Sequence, residues 1–189
     1  MRTLTAFWMV VAVAVAVAVV GLSTHFLVRR ETVQQGSVPK MADWHEVNWP
    51  YFRDQFPSGK AFECSAAACG QTLRVTFRAK IGFCNCATGV ADDEELERIG
   101  DMYLVAEQSE PMRDGREISI GSMTGRSRPY SLNGRSRVYS IAFNNRCDVI
   151  VATAGPLEHG AGADDLEHIA LSFLNSDTVI HWAERALGF

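Results

Sequence analysis

The 189 residues contain no Gly-x-Ser-x-Gly, no Gly-x4-Gly-Lys-Ser/Thr, no Gly-x-Gly-x-x-Gly and no Cys-x-x-Cys. Their absence removes the nucleophile elbow, the phosphate-cradling loop, the dinucleotide turn and the low-pKa dithiol. No pair of carboxylates is spaced for acid–base work, so the chain reads as non-enzymatic. Positive charge is also missing. Of 18 basic residues, Arg2, Arg29 and Arg30 flank an apolar run, leaving 15 from Glu31 onward against all 22 acids. The remainder is about seven charges negative, which excludes a general nucleic-acid binder. Lysine is scarce there, with only Lys40, Lys60 and Lys80. No cysteine precedes Cys64, which rules out anchoring by an acylated N-terminal cysteine.

One long uncharged run is present. Ala6 to Val28 is 23 residues without a charge, and Val10 to Val20 is unbroken Val and Ala. At 1.5 Å per residue it spans a hydrocarbon core of about 30 Å. A cleaved signal has a shorter apolar core followed by a small-x-small site. Here the Ala-x-Ala patterns lie inside the run, and its end reads Gly21-Leu-Ser-Thr-His. Residues 1–30 are therefore assigned as an uncleaved membrane anchor, 31–42 as a polar linker and 43–189 as the exported domain. The Lys/Arg balance across the run barely decides orientation; the cysteines do, by placing the domain on the extracytoplasmic, periplasmic side. His25, near the outer end, reads as an interfacial polar residue. Trp44, Trp49, Tyr51, Phe52 and Phe56 follow the linker and read as lid or core.

Five cysteines remain: Cys64, Cys69, Cys84, Cys86 and Cys147. Leu73, Val75, Phe77, Ala79 and Ile81 alternate with Thr72, Arg74, Thr76, Arg78 and Lys80, the period of a half-buried antiparallel strand. Extended further, that strand puts Phe83 on the apolar face and Cys84 with Cys86 on the other. Three chemistries compete. An oxidising compartment favours structural disulfides: Cys64–Cys69 closes a small loop, one of Cys84 or Cys86 reaches Cys147, and one thiol is left over. A thiolate metal site is the alternative, with copper(I) suiting Cys84 and Cys86 better than zinc suits these spacings. A redox dithiol ranks last.

Lys80-Ile-Gly-Phe-Cys84-Asn-Cys86 resembles the Cys-x-Cys strand of CtaG-type copper-delivery factors for cytochrome oxidase, which share the size and the single N-terminal anchor. That resemblance implies copper handling by Cys84 and Cys86. No other cofactor is expected.

Asp92 with Glu95 forms a capping-box start to a short helix that Gly100 ends. Met102–Ala106 and Glu117–Ile120 read as strands joined by a turn at Arg113-Asp-Gly-Arg. Arg126-Ser-Arg-Pro-Tyr-Ser and Arg135-Ser-Arg-Val-Tyr-Ser nearly repeat around Asn133-Gly134, a hairpin signal. A two-residue turn sets Tyr130 opposite Arg137 and Arg128 opposite Tyr139, and Pro129 argues for an edge strand. Arg126, Arg128, Arg135 and Arg137 would then share one face, open to an anionic partner or satisfied by its own tyrosines. A second hairpin turns at Asn144–Cys147, and two amphipathic helices, Ala163–Leu174 and one from Ser176 or Asp177, close the chain. His159, His168 and His181 have no metal-ligand partner at helical spacing.

The pattern predicts an α+β domain of five to seven antiparallel strands with C-terminal helices packed on one face. Hairpins followed by late helices resemble the PsbP-like fold of extrinsic proteins. The function expected is a non-enzymatic, membrane-anchored, disulfide-stabilised extracytoplasmic domain that binds a protein partner or assists assembly of an envelope complex. Copper handling is the alternative.

Overall fold

A computed structural model describes residues 39–51, 56–158 and 165–189. The anchor at 6–28, His25, the linker before residue 39, Phe52, His159 and Asp164 lie outside the described residues. Among the described residues, no helix is long and apolar enough to cross a membrane.

The strand read from alternation forms as Leu73–Lys80 (β3). It pairs antiparallel with Lys60–Cys64 (β2), which pairs with Trp44–Val47 (β1). On its other side β3 meets Asp148–Pro156 (β8), then Ser136–Asn145 (β7) and Met123–Leu132 (β6). Ser109–Pro111 (β4) and Arg116–Ile120 (β5) both pair with β6, completing an eight-stranded antiparallel sheet. That exceeds the expected five to seven because β1, β2 and the three-residue β4 are too short to show a period.

Two more expectations are corrected. Met102–Val105 is a single helical turn rather than a strand, its backbone bonded locally (Leu104 N–H to the Asp101 carbonyl at 3.0 Å, Ala106 N–H to the Met102 carbonyl at 3.1 Å) instead of to a neighbouring strand. Pro129 is not on an edge strand: it falls between the stretch of β6 paired with β5, up to Ser127, and the stretch paired with β4, from Tyr130.

The helices are short. Ala66–Cys69 (α1) is one turn ended by Gly70 at φ 72°. Asp93–Ile99 (α2) is capped as expected, the Glu95 N–H donating to Asp92 Oδ1 at 2.8 Å. Met102–Val105 is α3, and Leu166–Leu174 (α4) and Asp177–Leu187 (α5) end the chain. Apolar residues at helical spacing, Leu166, Ile169, Ala170, Phe173, Leu174, Val179, Ala183 and Leu187, are all buried, and together with Trp182 they cover one face of the sheet. Phe173 stacks on Trp44 at 4.3 Å and Trp182 meets Phe77 edge-on at 4.9 Å. Each large apolar side chain buried there contributes about 1.5–3 kcal/mol. His168 and His181 point outward, exposed.

The opposite sheet face does not look into water. Residues 81–106, carrying α2 and α3, lie across it, with Leu96, Ile99, Val90 and Cys84 packed on Ala142, Val149 and Val151. Beneath that cover sit the polar positions of β3.

Candidate functional site

Alternation put Arg78 and Lys80 on the polar face of β3, and the cover makes that face interior. Arg78 is 1% exposed, Lys80 3% and Asp101 4%. Arg78 grips Asp101 with both prongs, Nε to Oδ2 at 2.7 Å and Nη2 to Oδ1 at 2.6 Å, and Nη2 also donates to the Tyr103 hydroxyl at 3.0 Å. Lys80 Nζ donates to the Ile99 carbonyl at 2.6 Å and lies 2.8 Å from Asp101 Oδ1. Aromatic rings close the cluster. The Arg78 guanidinium lies 5.0 Å from the Phe56 ring and 5.8 Å from Trp49, and Lys80 Nζ lies 4.7 Å from Phe56, 5.5 Å from Phe83 and 5.9 Å from Tyr103.

Burial lowers the Lys80 pKa; Asp101 opposes that and Arg78 adds to it. The ammonium is committed as a donor to Ile99 and Asp101, so the arrangement is a clamp holding residues 99–103 on the sheet. It also sets a surface. Phe83 (36% exposed) and Tyr103 (56%) border the clamp, Ile81 (63%) follows Lys80 in the chain, and Arg98 lies 5.7 Å from the Phe83 ring.

The cysteines divide cleanly. The α1 turn brings Cys64 and Cys69 together as one disulfide, and Cys86 joins Cys147 in a second. Cys84 is the free thiol, and it is buried. The extended strand that would set Cys84 beside Cys86 is corrected: β3 ends at Lys80, and Gly82 at φ 67° turns the chain, its N–H donating to Asp148 Oδ1 at 2.6 Å. Cys84 then docks on the β7–β8 turn, its N–H bonded to the Cys147 carbonyl at 3.1 Å and its thiol to the Arg146 carbonyl at 3.2 Å. Burial pushes the thiol pKa up, Glu95 and Asp148 push it further, and Arg98 opposes them. A protonated thiol is a poor nucleophile and a poor metal ligand. With Cys86 tied to Cys147, copper at Cys84 and Cys86 would require that bridge to be reduced first. Among the described residues, no three His, Cys, Asp or Glu side chains are placed to hold a metal.

The four arginines do not share a face. The β6–β7 turn spans three residues, Leu132 pairing with Ser136, so Tyr130 faces Val138 and Arg128 faces Ser140. Asn133 and Gly134 do take the positive φ values expected, 51° and 66°, but Arg135 is an added loop residue and shifts the register by one. Arg126 and Arg128 therefore lie under α2, where Arg126 pairs with Asp93 and donates to the Gly115 carbonyl at 3.0 Å. Arg128 reaches Glu97 at 2.5 Å and Asp93 at 3.3 Å. Arg137 alternates with Tyr139 and Ile141 toward the helix-covered face, and Arg135 is exposed in the turn.

These pairs carry a pH dependence. Burial alone would raise the Asp93 pKa, but the Gly115 N–H, Arg126 and Arg128 outweigh it and hold the carboxyl below its ordinary value. Glu95 is lowered chiefly by its hydrogen bond from Arg98, against some burial, with help from the Asn85 N–H. Both therefore release protons more readily folded than unfolded. Their stabilisation is complete above their unfolded values, near 3.8 and 4.5, and is lost as pH falls through the depressed folded values. Urea midpoints are expected to hold from pH 7 to about 5 and fall steeply below about 4, with Arg126→Gln flattening the fall.

Two kinds of site residue were missed from the sequence. Asp101 gave no signal, being one acid after a helix stop. For Arg78 and Lys80 the available signal was the crowd of aromatics at 44–56, which needed something to cover. No protein-family model matches the chain, and no curated protein is found similar to it in sequence.

Proposed function

We infer that the chain is a membrane-anchored, extracytoplasmic domain, held by the apolar run 6–28, that acts without catalysis by binding a protein partner, in the role of an assembly factor for an envelope complex. The periplasmic placement draws on the two disulfides, which suit an oxidising compartment. The observation that carries the binding reading is the surface over the clamp. Phe83 and Tyr103 are large, exposed and lie against buried Lys80, exposed Ile81 follows Lys80 in the chain, and Arg98, paired with Glu95, lies 5.7 Å from the Phe83 ring. Aromatic and aliphatic anchors inside a polar rim are what a protein hot spot is made of. Here the backbone beneath is fixed by an ion-paired clamp and a disulfide, so little ordering is lost on docking.

Photo-crosslinking in cells tests this. A benzophenone side chain at position 81 of the full chain is expected to give a discrete protein adduct, and the same group at exposed Arg185 is not. Phe83→Ser combined with Tyr103→Ser should lower the adduct yield at least tenfold while the chain stays in the membrane. No adduct from position 81, or equal adducts from both positions, overturns the reading.

A further inference from the structure

A second opening lies further along the same polar sheet face, at the end where β3 meets Pro156. It encloses about 380 Å³, within the range of small-molecule sites. Its floor is Thr76 and Thr153, whose hydroxyls bond to each other at 2.6 Å, with Val138 beside them. Val105, Leu132 and Leu157 form apolar walls. Tyr51, Arg74 and Arg135 supply the polar end.

The charge balance of this lining is one-sided. No Asp or Glu lines the cavity, although the chain beyond the apolar run carries 22 acids against 15 basic residues. Arg74 is engaged by Glu63 through Nε at 3.0 Å and Nη2 at 2.5 Å. Arg135 is held in the left-handed turn Asn133–Gly134, and its guanidinium has no partner among the described residues. Burial keeps the Tyr51 phenol protonated above its ordinary range, against the pull of Thr153, Thr76 and Arg74.

A bare inorganic anion would leave the Val105, Leu132 and Leu157 walls unused. A neutral apolar molecule would gain nothing from Arg135. We propose that the cavity bounded by Tyr51, Thr153, Leu132 and Arg135 is a binding site for the carboxylate of an amphipathic organic acid, with Arg135 taking the carboxylate in its planar fork and the apolar walls taking the hydrocarbon body. The shared chemistry is a terminal carboxylate on an apolar group, supplied either by a free small acid or by a peptide C-terminus. This site is separate from the aromatic surface, and its occupancy does not depend on a partner docking there.

The full chain in lipid nanodiscs is titrated calorimetrically with 3-phenylpropanoate, with 3-phenylpropanol as the neutral counterpart and empty nanodiscs as the blank. The acid is expected to bind at least tenfold more tightly than the alcohol. Arg135→Gln, at an exposed position with no partner to lose, should weaken the acid at least tenfold, and Arg185→Gln should leave it unchanged. Equal binding of acid and alcohol, no binding of the acid at millimolar concentration, or indifference to Arg135→Gln overturns the proposal. A hexapeptide ending in Val-Leu identifies the source: tighter binding than 3-phenylpropanoate, lost in its C-terminal amide, assigns the site to a chain terminus, and weaker binding assigns it to a free acid.

Discussion

Asp101→Asn is expected to destabilise the domain by about 3–5 kcal/mol, the cost of removing the carboxylate that Arg78 and Lys80 share from a buried charge cluster. The carboxylate is the acceptor for Arg78 through two hydrogen bonds and for Lys80 at 2.8 Å, and all three groups are almost fully buried. Asparagine keeps the shape and removes the charge. Against a total stability of about 5–15 kcal/mol, such a loss is large, and unfolding of the full chain by urea or heat reads it directly. Replacing the three groups together by apolar residues of similar volume should cost far less, because paired buried ions gain little net energy over hydrophobic packing. A loss below about 1 kcal/mol for Asp101→Asn would show that the cover over the polar face is held by something else.

The second large effect belongs to the disulfides and differs between them. Cys86–Cys147 spans 61 residues of sequence and Cys64–Cys69 spans 5. On the chain-entropy account, closing the long loop contributes about 4 kcal/mol and the short one about 2 kcal/mol. Paired Ala substitutions at 86 and 147 should therefore lower the unfolding midpoint about twice as far as those at 64 and 69. The pairs are replaced together because a lone Cys147 would lie next to Cys84, whose N–H already bonds to its carbonyl. Equal losses from the two pairs would contradict the loop-length argument.

The fold was legible where a local period or a turn residue decides the outcome. Alternation gave β3 but overran its end at Lys80, the Asp92 cap gave α2, and apolar spacing gave the buried faces of α4 and α5. What depended on tertiary placement was not. Asn133-Gly134 identified a turn, but the loop takes in Arg135, and one added residue re-aimed every side chain of the hairpin. Gly82 marked a break in β3 that the alternation of Ile81 and Phe83 disguised. The polar face of β3 looked like a solvent face because a strand's pattern reports which residues alternate, not what later segment covers them. Arg78 and Lys80 were thus visible as residues and invisible as a site, since Asp101 lies 23 positions from Arg78. The cysteines fell between these cases. Their compartment logic and the Cys64–Cys69 loop were readable, whereas the choice of Cys86 over Cys84 rests on how the Gly82 turn docks against Arg146 and Cys147.

The account rests most directly on the thiol state of the chain in the cell, so the decisive measurement is alkylation of the full-length protein followed by intact mass and peptide mapping. The expected result is no label on the folded protein, a single label at Cys84 after denaturation without reduction, and five labels after reduction. Labelling of Cys86 and Cys147 without any reductant would contradict the stapled extracytoplasmic domain and return Cys84 and Cys86 to contention as a thiolate pair.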